Sequence, residues 1–521
     1  MQDRSPSKGS EKSKKQGNCV YNSQFSSIHA ILNKGDFMDK KILQNYFYNI
    51  LYQLLVVLAP MITVPYVTRT LGATMLGISD WTGSNVQWFV LFGIMGVSIY
   101  GNREIARVRD DQTKMSKTFF EIFTMQFLSM CASTLVYFLY LFTVQDSVRL
   151  YATIQTISLL SVALDITWFF YGVEDFKTAS IRNMIIKILG IILIFAFVKK
   201  PSDLALFIVI NAGSGVLGQL IMWTQLKQYV KWTPIHFKDV LKHFKPNLML
   251  FIPQIATSVY TMLDVSMLGY LYADVSHVSF YNQAQRFIKM FLFFITSIGS
   301  VMLPRIANIH AKGQDEEVLR FLRTTLRMAL YLAIPMIAGI ISLIPYFIGW
   351  FLDDTYQIVT PLIIFTTPII LFISLSNVFG TQYLLPIGRT KEYTRSVILG
   401  ALTNFCLNAL LMPKFGAFGA ITGSVIAELM VTLTQWLSIR GQLDLGFRIR
   451  EVTKYVIASL VMMLPVHFIG EAMGPRFTTN LIQIAAGVIV YFGLLTLMKD
   501  DFHMNLIRKV LNHRKGEAAH E

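Results

Sequence analysis

The 23 residues LALFIVINAGSGVLGQLIMWTQL, from Leu204 to Leu226, contain no Asp, Glu, Lys or Arg. At a rise of 1.5 Å per residue, an α-helix of this length is about 35 Å long, and the hydrocarbon core of a bilayer is roughly 30 Å thick. A helix this long and this apolar has no place in a small water-soluble core. The stretch therefore predicts a membrane span.

The same pattern recurs along the chain, and windows of roughly 17–25 residues give fourteen predicted spans. These spans are Leu43–Val67, Ser84–Tyr100, Phe119–Thr143, Leu150–Tyr171, Ile181–Val198, Leu204–Leu226, Leu248–Leu271, Ala284–Leu303, Leu326–Phe347, Ile358–Tyr383, Tyr393–Met412, Phe418–Ile439, Val452–Ile469 and Leu481–Met498. The composition agrees, because 54% of the residues are hydrophobic, 15% are charged and the mean hydropathy is +0.50. We expect an all-α polytopic membrane protein.

The Lys and Arg residues outside the predicted spans are divided unequally between the two sides of the membrane. When Arg182 and Arg286, which lie at span ends, are counted with the adjoining loops, the two tails and alternate loops carry 34 Lys and Arg residues and the opposite loops carry 7. Because basic loops stay in the cytoplasm, this bias places both termini there, as an even number of spans also requires. The net charge of +15 is then explained by orientation and by anionic headgroups. We expect no nucleic-acid partner.

The two halves of the predicted membrane region are similar in sequence. Leu71-Gly72 matches Leu268-Gly269, and Ile105-Ala106 matches Ile306-Ala307. Six spans separate the copies, so the repeat is parallel, and repeats of this kind hold their substrate between them.

The predicted organisation follows from this repeat. We expect a disordered basic tail (1–37), a first lobe of six helices (38–226), a linker at the cytoplasmic headgroup level (227–247), a second lobe of six helices (248–440), two further helices (441–499) and a cytoplasmic tail (500–521). The first tail has no apolar segment, so it is not a signal peptide. The three cysteines suggest neither a disulfide on the outer side nor a metal site, and we expect no metal or cofactor.

Six stretches of the chain carry a resemblance to a known family. They are PYVTRTLGA (65–73), YGNREIARVRDD (100–111), ALDITWFFYGVEDFK (163–177), IRNMIIKILG (181–190), YNQAQRFIKM (281–290) and NFCLNALLMPKFGAFGAITGSVIAE (404–428). In this order and spacing they resemble the bacterial Wzx-type polysaccharide-biosynthesis flippases, relatives of the multidrug-and-toxin extruders and the lipid II flippases.

The resemblance implies a function. The substrate would be an undecaprenyl-diphosphate-linked oligosaccharide, moved from the inner to the outer leaflet by alternating access of two lobes, for the synthesis of capsule, exopolysaccharide or O-antigen. It also implies a bacterial plasma-membrane location, with glycosyltransferases and a polymerase of the same pathway as partners.

Ionisable residues at membrane depth are the candidate site residues, because each costs on the order of 3 kcal/mol or more unless it meets a partner or water. Asp165 and Lys187 lie about six residues from the cytoplasmic ends of neighbouring spans, and hence at similar depth. They either form a buried ion pair or line a cavity in which the lysine meets a diphosphate.

The second half offers Asp264, Arg286 and Lys289 in the outer half of the membrane, and Arg69 ends the first span on the same side. Arginine binds phosphate oxygens bidentately, so these residues are further substrate-binding candidates. The alternatives are that Arg286 reaches the headgroups and that Arg69 is an interfacial anchor.

A second kind of site is predicted near the middle of the membrane. Glu428 lies about ten residues into the twelfth predicted span, and Asn404 and Asn408 are four residues apart on the eleventh. These three residues could bind a proton or a sodium ion that drives transport. The alternative is a neutral acid hydrogen-bonded to a neighbouring helix, for which the asparagines could be the partners.

Other functions fit the sequence less well. A proton- or sodium-coupled multidrug exporter should have an acidic cavity, but the intramembrane Lys and Arg residues match or outnumber Asp and Glu, which favours an anionic substrate. A lipid II-type flippase is a further alternative. An enzyme needs a catalytic site outside the spans, whereas the outer loops are short and no GxxxxGK[ST] motif occurs. We therefore expect a protein that is not an enzyme.

Overall fold

The computed structural model describes residues 40–441 and 449–508, and all regular structure in these two ranges is helical, with no strand. Helices are expected, because a span in lipid must satisfy its backbone groups internally. The prediction of a disordered tail falls on residues 1–37, outside the described residues, as does most of the C-terminal tail.

The helices of the first half are α1 (Lys40–Ile94), α2 (Val97–Val108), α3 (Gln112–Leu141), α4 (Asp146–Ile154), α5 (Thr156–Ala163), α6 (Thr167–Gly172), α7 (Phe176–Phe197) and α8 (Leu204–Leu226). The short helix α9 (Phe237–Leu241) belongs to the linker. The second half contains α10 (Phe244–Leu271), α11 (Ser276–Ala311), α12 (Asp315–Phe351), α13 (Val359–Thr366), α14 (Pro368–Ser376), a π-helical turn (Asn377–Leu384), α15 (Thr390–Phe415) and α16 (Ala417–Ile439). The last two long helices are α17 (Ile449–Met473) and α18 (Phe477–Leu497).

The all-α membrane fold is confirmed, but the count of fourteen spans is not. Ten helices in the described ranges are long and apolar enough to cross a membrane, or up to eleven if one bent pair forms a single span. One reason for the difference is that α1 contains the first predicted span and most of the second. Its two arms meet at Gly72, whose φ of 76° is a left-handed conformation that glycine adopts without strain.

The two glycines that the sequence repeat aligns have different structural roles. Gly72 makes the turn within α1, whereas Gly269 lies inside helix α10. A Cβ on Gly269 would be only 2.2 Å from the Trp81 ring. Gly269 therefore allows the first and second halves of the chain to pack closely.

The fourth predicted span is broken into three helical pieces. At its second break, between α5 and α6, the side-chain amide of Gln126 donates to the carbonyls of Val162 and Asp165 at 3.0 and 2.8 Å. The indole of Trp223 donates to the Leu164 carbonyl at 2.9 Å. These side chains satisfy backbone groups that a continuous helix would have paired itself, which is how membrane proteins tolerate such breaks.

The helix ends lie on two opposite faces of the bundle. The Gly72 face carries the helix ends at Gly72, Val198 and Leu352, and the Asp111 face carries those at Asp111 and Asp175. A contact confirms the first grouping, since the Tyr66 hydroxyl donates to the Val198 carbonyl at 2.7 Å.

The linker between the halves lies on the Asp111 face. Its Tyr229 hydroxyl donates to Asp175 at 2.9 Å, and burial, together with this carboxylate, raises the pKa of Tyr229 to about 12. On its other side Trp232 is 82% exposed and Phe237 is 63% exposed. One side of the linker is thus fixed to the first half, and the other presents aromatic rings, as interfacial segments do.

Candidate functional site

A cavity of about 520 Å³ lies where α1 of the first half meets α11, α12, α17 and α18. Most of its lining is apolar, with side chains such as Met61, Phe287 and Met336. Arg286 of α11 is the one charged residue among the described residues that line it. The last two long helices, α17 and α18, form a wall of this cavity.

Three of the predicted cations lie near one another. The charge of Arg286 acts through space on both Lys187 of α7 and Lys289 of α11. Because Arg286 belongs to the other half of the chain, this interaction connects Lys187 of the first half with α11 of the second. The structure thus brings Lys187, Arg286 and Lys289 together, and we call them the cation cluster.

Only Arg286 in the cation cluster has an acidic partner within 4.0 Å among the described residues. Its Nη2 is 3.1 Å from Oδ1 of Asp80, in the second arm of α1. The Arg286 side chain is still 51% exposed, which leaves donors available. Lys187 and Lys289 are also exposed. The cluster can therefore accept an anion.

Arg69 lies outside the cation cluster. Its guanidinium donates to the backbone carbonyl of Trp350, a residue that lines the cavity from α12. The Trp350 indole in turn donates to Asn480 of α18 at 2.5 Å. Arg69 therefore connects the first half to the cavity wall on the Gly72 face.

Asp165 and Lys187 do not pair in the structure. Oδ1 of Asp165 accepts from the backbone N–H and the hydroxyl of Thr167, at 2.8 and 2.5 Å. This geometry arises because Asp165 lies in the break between α5 and α6, two residues before Thr167 begins α6, where an aspartate can bond the backbone two residues on. The residue with which Asp165 interacts electrostatically is Arg182, whose Nη2 donates to the Thr167 hydroxyl at 3.0 Å. A role for Asp165 in substrate binding stays a prediction.

Asp264 hydrogen-bonds one of the predicted ion-coupling residues and also acts through space on Lys289 of the cation cluster. It is 4% exposed and lies on α10 among α11, α15 and α16. Its carboxylate accepts hydrogen bonds from Tyr281 at 2.5 Å, Asn408 at 2.6 Å and Ser424 at 2.7 Å. All three hydrogen-bond partners lie inside the second half. A role for Asp264 in substrate binding stays a prediction.

The asparagines predicted for ion coupling complete this group. Asn404 and Asn408 are both fully buried, and the Asn408 amide also donates to Oδ1 of Asn404 at 3.1 Å. Oδ1 of Asn408 is buried without a hydrogen-bond donor. Glu428 is 9% exposed and lies one turn beyond Ser424 on α16. We call Asp264, Asn404, Asn408 and Ser424 the acidic network.

Several of these residues were missed by sequence reasoning. Arg182 was assigned to a loop, although it is 8% exposed within α7. Asp80 was placed between two spans, although it lies inside α1. Tyr281 was quoted only as part of a motif. Arg182 and Asp80 could have been found by extending each predicted helix beyond its apolar window and looking for charged residues in the extension.

The fold and cavity define a class of polytopic membrane transporter. The family model described as "Polysaccharide biosynthesis protein" matches residues 42–310, and a second model, "MatE", matches residues 250–410. The chain belongs to the polysaccharide biosynthesis protein family.

Two curated relatives are similar over most of the chain. A "Putative O-antigen transporter" of Shigella dysenteriae is 26% identical over 381 residues, which are 72% of this chain and 94% of that protein. A protein of the same description from Escherichia coli K12 is 22% identical over 392 residues, 74% of this chain and 93% of that protein.

Two solved structures share the fold. The lipid II flippase MurJ in an inward closed conformation aligns with a TM-score of 0.67 at 18% identity, covering 90% of this chain and 99% of that one. An inward-facing MATE-family multidrug resistance transporter aligns with a TM-score of 0.56 at 13% identity, covering 74% of this chain and 98% of that one. These likenesses agree with the fold and with the resemblance seen in the sequence.

Proposed function

We propose that this protein translocates polyprenyl-diphosphate-linked oligosaccharides from the cytoplasmic to the outer leaflet of a bacterial plasma membrane. The observation that carries the proposal is an apolar cavity with Arg286 in its lining and two further cations beside it. A lipid diphosphate has the matching chemistry, an anionic head joined to a long apolar chain.

The cation cluster supplies the charge for this head. Lys187 and Lys289 have no acid within 4.0 Å among the described residues. Coulomb repulsion from Arg286 acts on both, and on Lys289 it is opposed by attraction to the more distant Asp264. Like charges at membrane depth cost several kcal/mol unless an anion or water compensates them. A diphosphate would relieve this repulsion, and the guanidinium could bind two of its oxygens.

The apolar part of the cavity fits the lipid chain. Between Tyr331 and Phe351, both of which line it, α12 extends about 30 Å at 1.5 Å per residue. That length is comparable with the whole hydrocarbon core of a bilayer. The polyprenyl chain would lie along α12, α17 and α18 while the diphosphate meets Arg286.

The direction of transport follows from the predicted orientation. The basic tails place both termini in the cytoplasm, so the Asp111 face is the inner face and the Gly72 face is the outer one. Glycosyltransferases of the same pathway would act before this step and a polymerase after it.

The acidic network is the proposed coupling site. A buried carboxylate that accepts three side-chain hydrogen bonds can exchange a proton, and its oxygen-rich surroundings suit a sodium ion. The amide and hydroxyl oxygens of Asn404, Asn408 and Ser424 would complete such a coordination shell. A cation-coupled drug exporter would use the same network, but its cavity would not need three cations.

Reconstitution tests the proposal. Purified protein in liposomes should move a fluorescent polyprenyl-diphosphate oligosaccharide between leaflets, and Lys187→Gln and Arg286→Gln should each slow this at least about tenfold, because a hydrogen bond to a charged group is worth about 1.5–3 kcal/mol. Lys414→Gln, which removes an exposed lysine at the end of α15, is the matched control. Wild-type turnover in both cavity variants would refute the cationic site, and transport of cationic drugs alone would favour the exporter.

A further inference from the structure

Two reciprocal bonds of arginines help to close the Gly72 face between the halves of the chain. Arg69 of the first half donates to the carbonyl of Trp350 in the second. Arg286 of the second half pairs with Asp80 of the first at 3.1 Å. At the same level the backbones touch, since a Cβ on Gly77 would lie 2.1 Å from the Val275 carbonyl oxygen.

Of these two bonds, only the Asp80–Arg286 pair uses a residue of the cation cluster. Arg286 faces the cavity with 51% of its side chain exposed, while Asp80 is 17% exposed. Oδ2 of Asp80 is buried without a hydrogen-bond partner. Arg286 is thus the one described side chain that hydrogen-bonds Asp80, and the carboxylate is poorly satisfied if the arginine leaves.

The Arg286 guanidinium can therefore bind either of two anions, the Asp80 carboxylate or an anion in the cavity. We propose that Asp80 is a positioning residue that holds Arg286 across the closed outer face, and that a diphosphate in the cavity releases this latch by taking Arg286 from it. The proposal rests on the proposed function for the identity of the anion.

The chemistry favours the exchange. A diphosphate carries more negative charge than one carboxylate and offers more acceptor oxygens, and charge-assisted bonds to arginine strengthen accordingly. Lys187 and Lys289 stand close enough to add their charge to the diphosphate, but neither has Asp80 as a partner. The cation cluster as a whole thus prefers the diphosphate, whereas Asp80 is bound by Arg286 alone.

Exchange at Arg286 connects binding to opening. A ligand shifts a conformational equilibrium only if it interacts differently with the two states. A diphosphate on Arg286 would meet this condition, because the closed face requires Arg286 to remain on Asp80. A loaded cavity would then open outward more readily than an empty one.

The test measures how accessible the closed face is. In a background with Cys19→Ser, Cys131→Ser and Cys406→Ser, the substitution Ser276→Cys places one thiol beside Gly77, at a residue that is 7% exposed. A membrane-impermeant thiol reagent added outside proteoliposomes should label it slowly, and inorganic pyrophosphate inside should accelerate the labelling.

The variants distinguish an ion pair that is released by the anion from one that only stabilises the fold. Asp80→Asn and Arg286→Gln should each label about threefold to tenfold faster without ligand, the range expected for a partly exposed charge pair, and should no longer respond to pyrophosphate. The charge swap Asp80→Arg with Arg286→Asp should restore slow labelling. The control Asp146→Asn breaks an ion pair with Arg149 within the first half and should label as the parent does.

Three results would each refute a different part of the proposal. If Asp80→Asn labels at the parent rate while the parent protein flips the lipid-linked oligosaccharide, the latch is wrong and the proposed function stands. If pyrophosphate leaves the parent rate unchanged, the exchange at Arg286 is refuted. If the parent protein flips no such lipid but the variants still open, the proposed substrate fails and the latch stands as a bond between the halves.

Discussion

Two substitutions of Asp264 in the acidic network should affect the stability of the protein and its ion coupling to different extents. Asp264 accepts hydrogen bonds from Tyr281, Asn408 and Ser424 at 2.5–2.7 Å and is 4% exposed. Asp264→Asn keeps the shape of the side chain but removes its ability to titrate. Asp264→Ala removes the acceptor from all three donors.

The expected costs follow from these contacts. In Asp264→Asn one acceptor becomes a donor, so about one hydrogen bond is lost, worth about 0.5–1.5 kcal/mol. In Asp264→Ala three buried donors lose their acceptor at about 1–3 kcal/mol each. The Ser424 hydroxyl can fall back on the Ala420 carbonyl, 3.0 Å away, which leaves two unsatisfied donors and a total of about 2–6 kcal/mol.

Two assays read the two effects. Thermal unfolding in detergent should show a small loss of Tm for Asp264→Asn and a clearly larger loss for Asp264→Ala. In proteoliposomes, an imposed sodium or proton gradient should accelerate flipping by the parent protein and have no effect on Asp264→Asn. The reasoning is refuted if Asp264→Asn keeps its response to both gradients, or if the alanine variant is as stable as the asparagine variant.

Other predictions concern the backbone, the cavity and the linker. Gly416→Ala should destabilise the fold by about 2–4 kcal/mol in the thermal unfolding assay, because a φ of 55° disfavours a Cβ and that Cβ would lie 2.5 Å from an imidazole nitrogen. In the control Gly213→Ala, the new Cβ would have no atom within 4 Å, so this variant should be neutral. Gly339→Leu fills the apolar cavity and should slow flipping of a long-chain substrate more than of a short-chain analogue, whereas equal slowing would speak against the chain site. A hydrogen bond from Lys117 lowers the pKa of Asp239 in the linker. The contact should therefore persist as the pH falls, until the pH reaches that lowered pKa. After correction for the intrinsic rate, hydrogen exchange in the linker should be no faster at pH 5 than at pH 8.

The membrane makes the fold largely predictable. Because lipid offers no hydrogen bonds, each long apolar stretch must become a helix, and every predicted span overlaps a helix in the structure. Breaks were not predictable in the same way. The interruption next to Asp165 is stabilised by the side chains of Gln126 and Trp223 from other helices, and such contacts leave no local trace in the sequence.

The sequence predicts how deep in the membrane the site residues lie, but not which neighbours their side chains meet. Charge within an apolar window indicated that Lys187, Arg286 and Lys289 are functional candidates, and the structure brings them together. The same reasoning did not predict that Asp264 hydrogen-bonds Tyr281, Asn408 and Ser424, because depth along a helix does not tell which neighbouring helices a side chain meets. Arg69 was correctly assigned to a span end, but its bond to the second half depends on the packing of the two halves.

The most direct test of the central claim is a cryo-electron-microscopy structure of the protein with a polyprenyl-diphosphate oligosaccharide. The account predicts diphosphate density within hydrogen-bonding distance of Arg286, beside Lys187 and Lys289, with the lipid chain along α12 and α18. Density for the diphosphate elsewhere, with Arg286 still paired to Asp80 and the apolar cavity empty, would contradict it.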